Sequence, residues 1–233
     1  LTNDTPERAQ RFWSRIAGAI LIALIALFMA ADFAARDIAG TGGYTAIATR
    51  VAAALPLYRA VLAVNVIGAA LTIVLAAALY CTLKPAAPDL ARLALFFRLA
   101  EGFLEGVTCA CGFAIARAYA SPFASFGADE MQGLISLLRA FQGGMFHIIT
   151  LFFGIGSVLF FWIFVTSRAI PRVLSVFGLL ASLIVPVLAL TGLILPETAK
   201  LLQPGWYPIM VAELTTGAWL LIFAIRTVPL AKE

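Results

Sequence analysis

Apolar residues run along this chain in six stretches, each of about the twenty residues that a helix needs to cross a bilayer. They cover residues 13–35, 58–83, 90–118, 143–166, 173–195 and 209–226. Turn and breaker residues separate them. Gly40, Gly42 and Gly43 follow the first, Pro85 and Pro88 follow the second, and Ser121-Pro122 follows the third. Pro171 precedes the fifth, and Pro196, Pro204 and Pro208 lead into the sixth. Two shorter segments, 45–55 and 128–141, are too short to cross and read as helices lying at the membrane surface. Gly143 marks a fresh start after the second of them. The pattern predicts an all-α fold: a polytopic membrane bundle of six transmembrane helices plus two short interfacial helices, forming one domain over residues 1–233.

The informative positions are the polar ones inside the apolar stretches. The third stretch carries Arg98, Glu101 and Glu105. At about 100° per residue, with Arg98 as origin, Glu105 falls near ~340°, Gly112 near ~320° and Glu101 near ~300°. An ionised group near the bilayer centre costs several kcal/mol, so this face must look into protein or water. The other spans are expected to arrange themselves around this helix. Its Gly102-x-x-x-Gly106 spacing suits a close helix–helix contact.

Arg98 and Glu101 are three residues apart and can pair. Glu105 lies near the midplane, about 10 Å along the helix from Arg98. Hydrocarbon and the neighbouring Glu101 both oppose its ionisation, so a neutral carboxyl is expected there at neutral pH. Asn65 in the second span, His147 in the fourth and Glu213 in the sixth are the other buried polar candidates. If these faces converge, Asn65, Arg98, Glu101, Glu105, His147 and Glu213 form one polar pocket. For each there is a structural alternative: an ion pair locking the bundle, a hydrogen-bonded carboxyl, or a histidine used only in packing.

Composition agrees with lipid as the solvent. Hydrophobic residues make up 63% of the chain and mean hydropathy is +1.02, more apolar surface than a water-soluble fold of 233 residues can hide. The net charge of +4 does not point to nucleic acid, because the basic residues sit singly at the ends of apolar runs. Arg8, Arg11, Arg15, Lys84, Arg92, Arg168, Arg172, Arg226 and Lys232 fall on one side. Arg36, Arg50, Arg59, Arg117, Arg139 and Lys200 fall on the other. The first set lies in the shorter loops, so both termini are expected in the cytoplasm, with the first span retained and not cleaved as a leader. Cys81, Cys109 and Cys111 lie in or beside spans with no partner at metal spacing, and one histidine cannot build a multi-imidazole site. No cofactor or metal is expected, and no phosphate loop, H-E-x-x-H or G-x-S-x-G signature is present.

Five pieces, in order, resemble a bacterial membrane family known as domain of unknown function 4386. They are Arg15-Ile16-Ala17-Gly18, Leu83-Lys84-Pro85, Arg98-Leu99-Ala100-Glu101, Ile170-Pro171-Arg172 and the stretch from Pro208 to Glu213. The resemblance implies an integral protein of the bacterial inner membrane and brings no chemistry with it. Three readings follow from the residues. One is a small proton-linked carrier or solute-binding membrane protein with an intramembrane carboxylate pocket. Another is a non-catalytic accessory or assembly subunit with a membrane partner protein. The third, an enzyme, is a lipid-modifying activity using Glu105 and His147 as acid and base.

Overall fold

The computed structural model describes residues 6–121 and 125–226; Pro122 and Lys232, both used above, lie outside them. The helices are α1 (Pro6–Ala39), α2 (Tyr44–Ala53), α3 (Leu55–Leu83), α4 (Pro88–Ala120), α5 (Ala128–Ser167), α6 (Arg172–Ile194), α7 (Pro196–Leu201) and α8 (Trp206–Phe223). A single 3-10 turn, Gln203–Gly205, leads into α8. Six helices are long and apolar enough to cross a membrane: α1, α3, α4, α5, α6 and α8. This is an all-α, multi-pass membrane protein with two short helices beside the six long ones.

The long helices form a closed ring. α1 packs on α3, α3 on α4, α4 on α5, α5 on α6, α6 on α8, and α8 back on α1. Its third span is therefore not the hub that its charges suggest. α4 is one stave of the ring, and the centre is a cavity. A charged face has to be kept from lipid, and facing inward achieves that without surrounding the helix.

One end of the ring is tied by hydrogen bonds far apart in sequence. Gln10 Nε2 donates to the Thr82 carbonyl at 2.8 Å, Ile225 N–H to Ser14 Oγ at 3.3 Å, and Arg226 N–H to the Ala169 carbonyl at 2.8 Å. The start of α1, the end of α3, the α5–α6 link and the end of α8 thus share one end. At the opposite end α2 packs across α4 and α5, burying Ile47 and Val51 in a cluster with Tyr119, Met131 and Ile135. Arg50 steadies the loop before it, donating from Nε to the Ala39 carbonyl and from Nη2 to the Thr41 carbonyl, at 2.8 and 2.6 Å. Gly40 and Gly42 in that loop have φ of +59° and +127°, values that residues with a Cβ avoid.

The interfacial segment expected at 128–141 and the span expected at 143–166 are one continuous helix of 40 residues, α5. Gly143 and Gly144 do not break it. A helical glycine costs only about 1 kcal/mol, and Met131, Ile135 and Leu138 on the first half already pack into the α2–α4 cluster. At ~1.5 Å per residue α5 is roughly 60 Å long, about twice the hydrocarbon thickness. Its first part therefore stands outside the membrane, under α2. The second short helix is instead α7, in the Pro196–Pro208 stretch. Asp89 lies in the first turn of α4, paired with Arg92 at 3.2 Å, while Ala87 holds the cap position.

Of the glycine pair in α4, only Gly102 is in a helix contact. A Cβ there would come 2.8 Å from Ile73 and 3.3 Å from the Ala69 carbonyl on α3, whereas nothing lies within 4 Å of one at Gly106. Gly102→Leu should therefore overpack α3 and lower stability by ~1–3 kcal/mol, while Gly106→Leu leaves the melt unchanged. Equal melting shifts in circular dichroism would contradict this packing.

Candidate functional site

The ring encloses a cavity of about 620 Å³, within the ~300–1,000 Å³ common for small-molecule sites. Five of the six residues singled out in the sequence line it: Asn65 from α3, Arg98, Glu101 and Glu105 from α4, and Glu213 from α8. His147 does not. Its ring packs where a side chain on Gly192 of α6 would stand, so it fills the α5–α6 seam, and its Nδ1 has no hydrogen-bond partner there.

Arg98 and Glu101 are the most buried of the set, with side chains 4% and 6% exposed, and their charges meet at 3.0 Å. The guanidinium N–H is not directed along that line, so the contact is an ion pair and not a well-formed hydrogen bond. The guanidinium also lies 4.9 Å from the centre of the Phe153 ring. Its stem rests on Gly156 of α5, where a Cβ would come 2.9 Å from Cγ and Cδ. A small residue at that position is what lets a long cation lie flat across the ring interior.

The other two carboxyls have no guanidinium of their own. Glu105 faces the Thr72 hydroxyl of α3, and its Oε2 is buried with no hydrogen-bond partner. Glu213 approaches from α8 across the cavity. Arg98 and Glu213 also border a second void of about 20 Å³, lined by Ser157, Phe160, Phe164 and Thr216, with room for one water. That void lies toward the end carrying the chain's N-terminal helix start. Arg98, Glu213 and Leu21 border both the large cavity and this small one.

At its other extreme the cavity reaches the surface. Asp32 and Arg36, near the end of α1, belong to its lining, pair with each other at 2.9 Å, and have side chains 54% and 77% exposed. Most of the wall between mouth and charges is apolar. Phe28, Phe146 and Trp206 line it, with the rings of Phe146 and Trp206 5.6 Å apart. The model described as "Domain of unknown function (DUF4386)" matches residues 16–224. The chain belongs to the DUF4386 family. Neither the curated proteins nor the solved structures include a match to it. In this DUF4386 protein the matched range takes in every residue of the cavity wall, from Leu21 to Glu213.

The wall has polar members outside the set singled out in the sequence, among them Thr108, Gln142 and Thr72. Thr108 lies one turn beyond Glu105, and Gln142 donates to its backbone carbonyl at 3.4 Å. Gln142 escaped notice because it stood at an expected helix boundary that the DUF4386 chain does not have. Thr72 lies seven residues from Asn65 on the same face of α3, but nothing local says that it meets Glu105. No group of three or more His, Cys, Asp or Glu able to hold a metal ion is present among the described residues.

Proposed function

We propose that this protein is a small solute carrier of the bacterial inner membrane, in which a solute entering the central cavity is coupled to protonation of Glu105 or Glu213. The observation that carries the reading is the convergence of Asn65, Glu101, Glu105 and Glu213 from three different helices on one cavity that reaches the surface beside Asp32 and Arg36. Buried carboxyls in membrane spans face water, ions or a partner group, and here two of the three have no cation of their own. With both termini in the cytoplasm, as the basic residues suggest, the mouth faces outward and Arg98 stands between solute and cytoplasm. A carrier then needs Arg98 to leave that position in its second state.

The test is thiol access from each side. Cys81, Cys109 and Cys111 are replaced by alanine, and a cysteine is introduced at Asn65 or at Ser157. A membrane-impermeant charged thiol reagent is then applied to right-side-out and to inverted vesicles. Asn65→Cys should react from the outer face and Ser157→Cys, more slowly, from the inner face. Reaction of Asn65→Cys alone would reduce the protein to a solute-binding one. Reaction of neither would remove the cavity from the aqueous phase and with it the proposal.

A further inference from the structure

Counting the cavity's charges pair by pair leaves an imbalance. Asp32 and Arg36 neutralise each other at the mouth, and Arg98 and Glu101 do so at the base. Glu105 and Glu213 remain, on opposite sides of the space between, and no further Lys or Arg borders the cavity among the described residues. Between them and the mouth the wall is apolar and aromatic.

On the reading that the cavity holds a solute, we infer that the solute is a lipophilic monocation: a compact organic group bearing one positive charge, such as a hydrophobic amine or a quaternary ammonium. Three independent features select it. The unpaired carboxyls, neutral in the empty cavity, offer counter-charge once an entering cation displaces their protons, and Glu105 presents a buried oxygen with no protein partner. The aromatic side chains of Phe28, Phe146 and Trp206 line the way in, and aromatic rings attract a cation while tolerating its apolar body. An anion would find Arg98 already occupied by Glu101 and Phe153. A sugar or other polyhydroxylated solute would leave most of its hydroxyls against leucine and phenylalanine, unpaired.

Arg98 has a second part in this arrangement. As a fixed positive charge at the floor it opposes passage of the cation toward the small void. A cation that engages Glu105 and Glu213 meets the Arg98 charge beyond them, and the site holds it at the outer side of that charge until Arg98 moves.

The experiment uses two near-isosteric ions of opposite charge, tetraphenylphosphonium and tetraphenylborate, with tetraethylammonium as a smaller cation. The full-length protein is placed in nanodiscs of phosphatidylcholine, which has no net charge. Saturable binding is measured after subtraction of protein-free discs, which removes partition into lipid. At least one of the two cations should bind saturably, and tetraphenylphosphonium should bind at least tenfold tighter than tetraphenylborate. Glu105→Gln with Glu213→Gln should abolish cation binding, while Asp89→Asn, on the exposed start of α4, leaves it unchanged. The comparison of the two ions on the unaltered protein does not depend on how the variants fold. Equal or tighter binding of tetraphenylborate would overturn the cation assignment and leave the solute-binding reading intact. Saturable binding of neither cation would also overturn it. Loss of the solute-binding reading itself would register separately, as unreactive cysteines at position 65 in the thiol experiment.

Discussion

Glu101→Gln should melt well below the unaltered protein, by ~3–5 kcal/mol in stability, while Glu105→Gln stays within about 1 kcal/mol of it. Both substitutions change one carboxyl to an amide of the same shape, four residues apart on one helix. They differ in what is left behind. Removing the Glu101 charge leaves the Arg98 guanidinium without the partner it meets at 3.0 Å, with both side chains almost wholly buried. An unpaired buried charge carries the full desolvation penalty. Glu105 faces a hydroxyl and an open cavity, and glutamine can meet both. A pair of changes sharpens the point. Arg98→Met with Glu101→Leu removes both charges and should recover most of the lost stability, because replacing a whole buried pair by apolar residues of similar volume is often neutral. Melts followed by circular dichroism in nanodiscs decide the matter. A Glu105→Gln melt lowered as far as that of Glu101→Gln would make Glu105 the structural partner of Arg98 instead.

Which side chains belong inside was largely legible, because lipid makes the rule severe. Arg98, Glu101, Glu105 and Glu213 interrupt runs where any charge is costly, so each had to face away from hydrocarbon, and each lines the cavity. What the local pattern does not contain is the order of helices around the ring. Hence the expectation of a central third span, and the silence about Gln142 and Thr108. His147 shows the same limit at finer grain. It shares a broad face of α5 with Thr150 and Gly154. Gly154, seven residues on and about 20° away, meets Pro186 of α6, and His147 lies in that seam with it. Thr150, about 60° round, lines the cavity. A face 60° wide is read from sequence as one surface, yet here it straddles two. The run from Ala128 to Phe141 looked interfacial because it is amphipathic, and its apolar side does bury Met131 and Ile135. Its continuity with the span behind it depends on packing under α2, a contact distant in sequence.

The seam that closes the ring, between the first and last helices, should be the place least tolerant of added volume. A Cβ on Gly18 of α1 would lie 2.5 Å from the Gly217 carbonyl oxygen and 2.6 Å from the Leu221 nitrogen of α8. A Cβ on Gly217 would in turn lie 3.1 Å from the Gly18 carbonyl oxygen. These are backbone atoms, so no side chain can swing aside to make room, and the two helices must separate. Neither glycine belongs to a paired motif in its own helix, so nothing in the sequence marked them as a helix contact, although Gly18 ends one of the pieces that carry the family resemblance. Gly18→Ala should lower stability by ~1–3 kcal/mol, and Gly18→Leu by more than Gly18→Ala. Gly106→Leu, made where nothing lies within 4 Å, controls for leucine on a span as such. The effect should also reach the site. Leu21 and Leu24, one and two turns along α1 from Gly18, line the cavity. Parting α1 from α8 therefore opens that wall to lipid. In the folded fraction of Gly18→Ala, thiol modification of Asn65→Cys should fall as lipid chains replace water in the cavity. A Gly18→Leu melt matching that of Gly106→Leu would mean that α1 and α8 do not approach so closely. The ring would then have to close through some other seam.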